Sequence, residues 1–521
     1  MSGAEIPRMS RRPFVWLLPL LAGACTVGPD YHKSNIAAPQ AWHESLPAAE
    51  SRVTAAAADP QWWHLFNDPV LTQLEKDVAD ASLDLQAASF RLAESTAERR
   101  IASAAQFPHM EGNASYARER ASTNGILGLL GSMERNGENP GSIASGAQGF
   151  GPTAMPGSVG NPSFNLPQYG MSASWEVDFW GHVRRQVEAA TAAMRATEEE
   201  RRGILVSLMA ETAQDYINLR GVQAQKAIVS HNIDIARRSV KLTTLRFQEG
   251  AATRLDVADS TGQLHTFEAR LPALESQEVH LLNALSFLVA QQPGALNARL
   301  GPPKPIPPVP ENVPTGLPSQ LAERRPDIRM AEERLHAATA SIGVAVADFF
   351  PRVTLSGSLD IQALQFSGLG SWASRQYGFG PTATLPLFEG GRLTGQLHLR
   401  KDQQREAAVL LQRTVLHAWQ EIDDAMADFT AAQRERDRLE EAVHENEIAV
   451  QTAQAQYVQG SSDFLNVLTL QNALLNAQSS LITARTQVSR SVTQIYRALG
   501  GGWETRYPRE IADRDVPARH G

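Results

Sequence analysis

Cys25 is the only cysteine in 521 residues, so no thiol remains elsewhere for a nucleophile or a thiolate metal site. After the first 24 residues no run approaches about 18 apolar residues, so no membrane-spanning helix is expected. GxSxG, the P-loop and HExxH are all missing, and the 13 histidines include no pair at metal-ligand spacing on a helix. These absences exclude the common catalytic designs, and no enzyme activity, metal or cofactor is expected. Basic charge is also short: the formal net charge is -8, which excludes a nucleic-acid partner, because phosphate binding needs clustered Lys and Arg.

What is present is a repeat. RFQEGAATRLDVADSTGQL from Arg246 returns as QYVQGSSDFLNVLTLQNAL from Gln456, a register of 210 that sets Gly250 and Leu255 on Gly460 and Leu465. Upstream, Asp84, Leu92 and Pro108 fall on Asp327, Leu335 and Pro351 at an offset of 243. The 33-residue difference is one Gly/Ser/Asn-rich insertion in the first half. The expected organisation is a leader over 1–24, an N-terminal segment over 25–67 and a first repeat over 68–300. A linker over 301–318, a second repeat over 319–502 and a C-terminal tail over 503–521 complete it.

The leader has an Arg pair at Arg11 and Arg12, an apolar core from Phe14 to Leu21, and small residues before Cys25. It is too short and too lopsided to span a membrane and reads as a secretory signal. It resembles a bacterial lipoprotein signal, which implies that Cys25 becomes the acylated first residue; the alternative is an ordinary signal peptide cleaved nearby. Ala22 departs from the usual pattern, which has a large aliphatic residue there.

Four segments alternate with period two. In YGMSASWEVDFW from Tyr169, apolar Met171, Trp175 and Val177 interleave with Ser172, Ser174 and Glu176. YGFGPTATLPLF from Tyr377, MEGNASYAR from Met110 and VTLSGSLDI from Val353 do the same. Such strands suit an outer-membrane barrel, or a soluble sheet with one wet face. Four strands cannot close a roomy barrel, so a barrel would need several copies. The stretch from Arg118 to Pro167 reads as the external loop of the first hairpin.

From His182 to Glu249, and again from Arg392 to Gln459, proline is absent and Ala, Gln, Glu and Arg abound, predicting two helices roughly 100 Å long. Ile228, Ile235 and Leu242 recur at sevens, as in a coiled-coil seam. Shorter helices are expected over 68–105, 253–291, 317–347 and 463–499. Gly250 and Gly460 reverse the chain between long and short helices, with Thr253 and Asp463 at N-cap positions. GPPKPIPPVPENVPTGLP joins the halves as an extended strap. Glu421, Asp423 and Asp424 read as a solvated helix face.

CTVGPDY from Cys25, PQWWHLFNDPVLTQL from Pro60, a Phe-Pro before each first strand and the two glycine tip motifs together resemble the outer membrane factor family. Within this TolC-like family they are similar to the NodT-type lipoproteins of RND efflux systems. The resemblance spans nearly the whole mature chain. It implies a mainly α fold with a membrane β-barrel: a homotrimer whose twelve strands form an outer-membrane barrel, continued by a periplasmic helical coiled-coil tunnel. It also implies an exit duct for small molecules, docked to a periplasmic adaptor (membrane fusion protein) and an inner-membrane RND-type transporter. The lipid on Cys25 would anchor it to the outer membrane.

Carried onto this chain, the family's periplasmic gate implies a ring at Leu465, with Asp463, Asn466 and Thr469 beside it and Asp256 and Asp259 in the first half. Asn466 and Thr469 stand where the family often has acids, implying a gate less attractive to cations. Asp463 fits simple capping equally well, and Leu465 a coiled-coil core. The implied adaptor-docking tips are Phe247, Gly250, Tyr457 and Gly460. Two rivals remain: the same duct serving type I protein secretion, and a lipid-anchored periplasmic coiled-coil adaptor. The second has no use for two hairpins at matched positions.

Overall fold

The structure is a computed structural model that describes residues 26–33, 39, 42, 51–120 and 163–507. Cys25 and its leader, the loop residues 121–162 and the tail from 508 lie outside the described residues. The chain divides into two compact units, one of residues 1–30, 100–188 and 340–400, the other of residues 31–99, 189–339 and 401–521. Each sequence repeat thus contributes to both units.

Proline positions decide where the helices stop. The first repeat holds α1 (Pro69–Ala81), α2 (Leu83–Ala104), α3 (His182–Gln248), α4 (Arg254–Glu268), α5 (Leu271–Leu288) and the short α6 (Asn297–Leu300). The second holds α7 (Leu321–Arg324), α8 (Pro326–Ala347), α9 (Arg392–Val458) and α10 (Phe464–Leu499). Proline-free α3 and α9 run 67 residues each. The shorter helices are less continuous than expected. Pro272 and Pro326 each lack an N–H and crowd the carbonyl four residues back, which ends one helix at Glu268 and another at Arg324. Ser82 interrupts the first, and of the four expected rods α10 alone is unbroken.

The coiled-coil seam sits one residue away from the expected register. In the protomer Val222, Val229, Ala236 and Thr243 are buried at intervals of seven, while Leu242 and Leu245 are exposed. Thr243 also pairs its hydroxyl with Ser260 on α4 at 2.9 Å.

The core of the helical unit collects the aromatics of the WWHLF segment. Trp62 stacks flat on Tyr496 at 5.6 Å, and Tyr216 donates its hydroxyl to Asp68 at 2.6 Å while Asp68 also caps α1. Trp503, expected to begin a free tail, is buried here instead and donates its indole N–H to the Arg324 carbonyl at 3.1 Å. The strap is extended, as its prolines require, and contains a strand that was not expected. β1 (Arg52–Thr54) and β4 (Asn312–Pro314) pair in parallel. Prolines donate nothing but keep their carbonyls: Pro302 accepts from Arg220, Pro307 from Ser489 and Pro314 from Tyr496.

Glu75 on α1 is fully buried, and neither carboxylate oxygen has a hydrogen-bond partner. Burial alone holds its pKa well above the usual carboxylate range. The folded protein keeps this proton at pH values where the unfolded chain has lost it, so its contribution falls as pH rises above that range. Glu75→Leu should therefore raise the thermal unfolding midpoint at neutral pH by a few degrees and gain less in acid. A lower midpoint at neutral pH would overturn this account.

The sheet of the other unit comprises β2 (His109–Arg120), β3 (Ser163–Val177), β5 (Arg352–Gln362) and β6 (Arg375–Thr384), antiparallel in the order β2-β3-β5-β6. Phe107-Pro108 and Phe350-Pro351 end the incoming helices, because the residue before proline is pushed out of the helical region. Strands β2 and β3 extend into what was expected to be loop, to Arg120 and from Ser163. β6 stops at Thr384, so Leu385 and Leu387, expected on the strand, lie beyond it.

Candidate functional site

Register sorts the sheet into two chemistries. Met171 lies opposite Leu359, and Leu359 opposite Tyr377; Trp175 lies opposite Leu355, and Leu355 opposite Pro381. Met110 and Ala114 join this face through Ala173 and Tyr169. The other face carries Ser172, Ser358 and Gly378 in one row, and Ser174, Ser356 and Gly380 in the next. Thus most apolar side chains of the four strands turn the same way, with Leu166 an exception; Met110, Met171, Leu355, Leu359 and Tyr377 are exposed in the protomer, and Trp175 and Val353 are half-buried. An exposed, continuous apolar sheet face opposite a polar one meets lipid on one side and water on the other. β2 and β6 are open edges, which a membrane does not tolerate unpaired.

The helical unit holds two matched tips. α3 ends at Gln248, with Gly250 at φ 75°, and α9 at Val458, with Gly460 at φ 74°. At the first tip the Ala251 N–H donates to the Arg246 carbonyl at 2.7 Å and the Gly250 N–H to Phe247 at 3.0 Å. At the second, Ser461 donates to Gln456 at 2.9 Å and Gly460 to Tyr457 at 3.0 Å. Both patterns are Schellman caps, which need a left-handed residue where the glycine stands. A Cβ built on either glycine would meet nothing within 4 Å, so backbone angle and not crowding selects them.

The returning helices start differently. Thr253 and Asp256 form a reciprocal capping box, the Thr253 N–H donating to Asp256 at 2.7 Å and the Asp256 N–H to Thr253 at 3.2 Å. Asp256 is thus engaged at the helix start, and Asp259 is half-buried one turn on. Asp463 occupies the matching N-cap position with extended backbone, yet its side chain makes no capping bond. The capping expected of it is a backbone role only, and its carboxylate is exposed.

Phe464, Val467 and Leu468 of α10 pack with Ala453 and Tyr457 into a small core under the second tip. Leu465, Asn466 and Thr469 lie on the opposite, exposed face, with Leu465 59% exposed. Leu465 is therefore not coiled-coil core within the protomer. The structure brings Leu465, Asn466 and Thr469 onto one stripe, with Asp463 at its head. Tyr457, expected on the docking surface, is buried at 9% exposure against Phe464, with ring centroids 4.9 Å apart. Outward apolar side chains at the tips include the expected Phe247 together with Leu255 and Val458.

Arg246 was missed from sequence. Its guanidinium lies 4.6 Å over the Tyr457 ring and donates to the Tyr457 carbonyl at 3.2 Å, tying the first tip to the second. Glu421, taken for part of a solvated face, accepts from Arg325 at 2.6 Å beside Asp327. Among the described residues there is no cluster fit for a metal ion, and no helix long and apolar enough to cross a membrane.

Solved and curated relatives share this design. OprJ, an outer membrane protein of Pseudomonas aeruginosa, is 30% identical over 488 residues, covering 94% of this chain and 95% of its own. TtgC, the toluene efflux pump outer membrane protein of Pseudomonas putida, is 29% identical over 491 residues, 93% of this chain and 94% of its own. The structure of the outer-membrane channel OprN superposes with a TM-score of 0.80 at 30% identity, over 92% of this chain and 100% of that one. The sequence profile of the outer membrane efflux protein family matches residues 75–291 and 317–501, the two repeats on either side of the strap. Sheet, paired tips and matches agree: the chain belongs to the outer membrane efflux protein family, has the barrel-and-tunnel fold of its channels, and is an outer-membrane component of efflux.

Proposed function

We propose that the chain is the exit duct of a tripartite efflux pump, a homotrimer docked to a periplasmic adaptor and fed by an inner-membrane RND-type transporter. The observation that carries this reading is the pairing of an open four-stranded sheet, apolar on one exposed face, with two matched glycine-capped helical tips. Three copies join open edges into twelve strands around a water-filled lumen, since four strands alone cannot enclose one. Polar rows such as Ser172, Ser358 and Gly378 line that lumen.

Adaptor helices meet the tips at Gly250 and Gly460, where no side chain obstructs, and at Phe247, Leu255 and Val458, whose apolar surface is exposed. Leu465 from three copies forms the narrowest apolar ring, with Asn466 and Thr469 making it neutral and Asp463 and Asp259 adding negative field beside it. Acylation of Cys25 anchors the chain in the outer membrane. Small molecules are the cargo class, as toluene is for the pump of the relative TtgC.

Deleting the gene from its host should raise retention of a fluorescent dye several-fold, and returning the wild-type chain should restore export. Unchanged dye retention together with loss of a secreted protein would replace this cargo class by polypeptide and turn the reading to type I secretion.

A further inference from the structure

The loop between β5 and β6, residues 363–374, reads ALQFSGLGSWAS and holds no charged residue. A loop that only had to meet water would carry polar and charged side chains, yet Leu364, Phe366 and Trp372 are 48%, 64% and 77% exposed. The loop is also closed by its own hydrogen bonds. Phe366–Gly368 and Trp372–Ser374 form short 3-10 turns. The Gly368 N–H donates to the Gln365 carbonyl at 3.0 Å, the Ser374 N–H to Ser371 at 3.2 Å, and the Ser374 hydroxyl to the Gly368 carbonyl at 2.7 Å. The Ala363 N–H, donating to the Pro167 carbonyl at 3.3 Å, ties the start of the loop to β3.

This ordered apolar surface is attached to the apolar face of the sheet. The Phe366 ring stacks on Tyr116 of β2, with centroids 5.5 Å apart. Tyr116 is itself fixed, because its hydroxyl donates to Asn165 of β3 at 2.9 Å. Steps of two along β2 from Met110 put Tyr116 on the apolar face. At the other end of the loop the Arg375 guanidinium lies 3.0 Å over the Trp372 ring. Arg375 stands opposite Ile361, and Ile361 opposite Tyr169, again on the apolar face, which continues along β6 through Tyr377. Both ends of the loop thus grow out of the surface formed by Met171, Leu359 and Tyr377, at the end of the strands away from the helices.

That continuity names the occupant. In the barrel fold, the reading on which this inference rests, the apolar face meets acyl chains, and its outer end lies where chains give way to headgroups. Tryptophan and tyrosine collect at this depth, since their ring carbons sit among the chains while the N–H or hydroxyl stays in the polar layer. An arginine beside them suits the same layer, with its stem on the apolar side and its charge turned to the headgroups. A lid over the exit would instead have to be tied to the polar face, which lines the lumen. We propose that the 363–374 loop is a membrane anchor and not a lid: Leu364, Phe366 and Trp372 seat in the outer leaflet at the boundary of acyl chains and headgroups, beside the exit mouth.

The test is tryptophan quenching in the full-length protein folded into phosphatidylcholine vesicles, with bromine on the upper acyl chains or with iodide in the buffer. Emission of Trp372 is isolated as the difference between wild type and Trp372→Phe. Trp175, on the apolar face opposite Leu355, is isolated in the same way through Trp175→Phe. Lipid bromine should remove more of the Trp372 emission than iodide does, by about twofold or more. Phe366→Asp, which sets a charge at the seat and breaks the Tyr116 stack without altering a strand, should reverse that order. Equal or greater loss to iodide in wild type would place the loop in water and overturn the anchor. No loss to either quencher would mean cover by protein, from the first hairpin's loop or a neighbouring copy, and would overturn it too. So would an order that Phe366→Asp leaves unchanged. Trp175 separates the two readings: if lipid bromine does not reach it, the barrel reading and the anchor fall together, whereas quenching at Trp175 without quenching at Trp372 removes the anchor alone.

Discussion

Gly460→Pro should leave the channel inserted in the outer membrane and abolish export. Gly460 sits at φ 74°, whereas proline is locked near -65°, and its N–H, which proline lacks, donates to the Tyr457 carbonyl. The second tip would lose its cap and its reversal, at a cost of about 3 kcal/mol or more confined to that turn. Tyr457, Phe464 and the Arg246 tie all hang on the turn, so the surface offered to an adaptor and the tie to the first tip fail together. The sheet belongs to the other compact unit and keeps its own strand pairing. Gly460→Ala is the matched control: its Cβ meets nothing within 4 Å, so only the left-handed penalty of roughly 1–2 kcal/mol applies, and export should fall only partly. The readout is dye export at matched amounts of inserted trimer. Normal export by the proline variant at normal protein level would disprove the docking role of the tip.

What could be read from the sequence follows from how local the signal was. The long helices were legible almost to the residue, because freedom from proline over 182–249 and 392–459 and a closing glycine are properties of the segment itself. Strand cores were legible for the same reason, since alternation shows within ten residues, but their ends were not. Ser163 to Asn165 pair with β2 although they emerge from a glycine-rich stretch, and β6 ends at Thr384 although the apolar alternation runs on to Leu387. The three-residue pair of β1 and β4 has too little pattern to announce itself. At the tips, glycine and capping positions were visible, yet the direction of each side chain was not. Tyr457 turned out buried because Phe464 returns beneath it, and Arg246 joined the site through a contact 211 residues away along the chain. The register of the buried seam missed by one residue, since Ile228 and Val229 are both apolar and only packing chooses between them.

Leu359→Arg and Ser358→Arg, one residue apart near the middle of β5, should differ sharply in their effect on insertion. In the isolated protomer both side chains are exposed, Leu359 at 45%, so burial within the chain does not separate them. Register does: Leu359 stands between Met171 and Tyr377 on the apolar face, Ser358 between Ser172 and Gly378 on the polar one. If the apolar face meets acyl chains, arginine at 359 places a charge near the bilayer midplane and costs about 2–4 kcal/mol, whereas arginine at 358 points into a wet lumen and costs little stability. Urea titration of folding into lipid vesicles measures both directly. The comparison also separates the membrane barrel from the soluble sheet with one wet face that alternation alone allowed. A soluble sheet would cover the apolar face with protein, and the Leu359 penalty would then persist in detergent-free buffer with no lipid present. Folding that depends on lipid, together with a penalty at 359 and none at 358, requires the face defined by Met171, Leu359 and Tyr377 to be the one in the membrane. Equal tolerance at the two positions would show that the register does not sort lipid from water, and the assignment of lumen and lipid faces would fall with it.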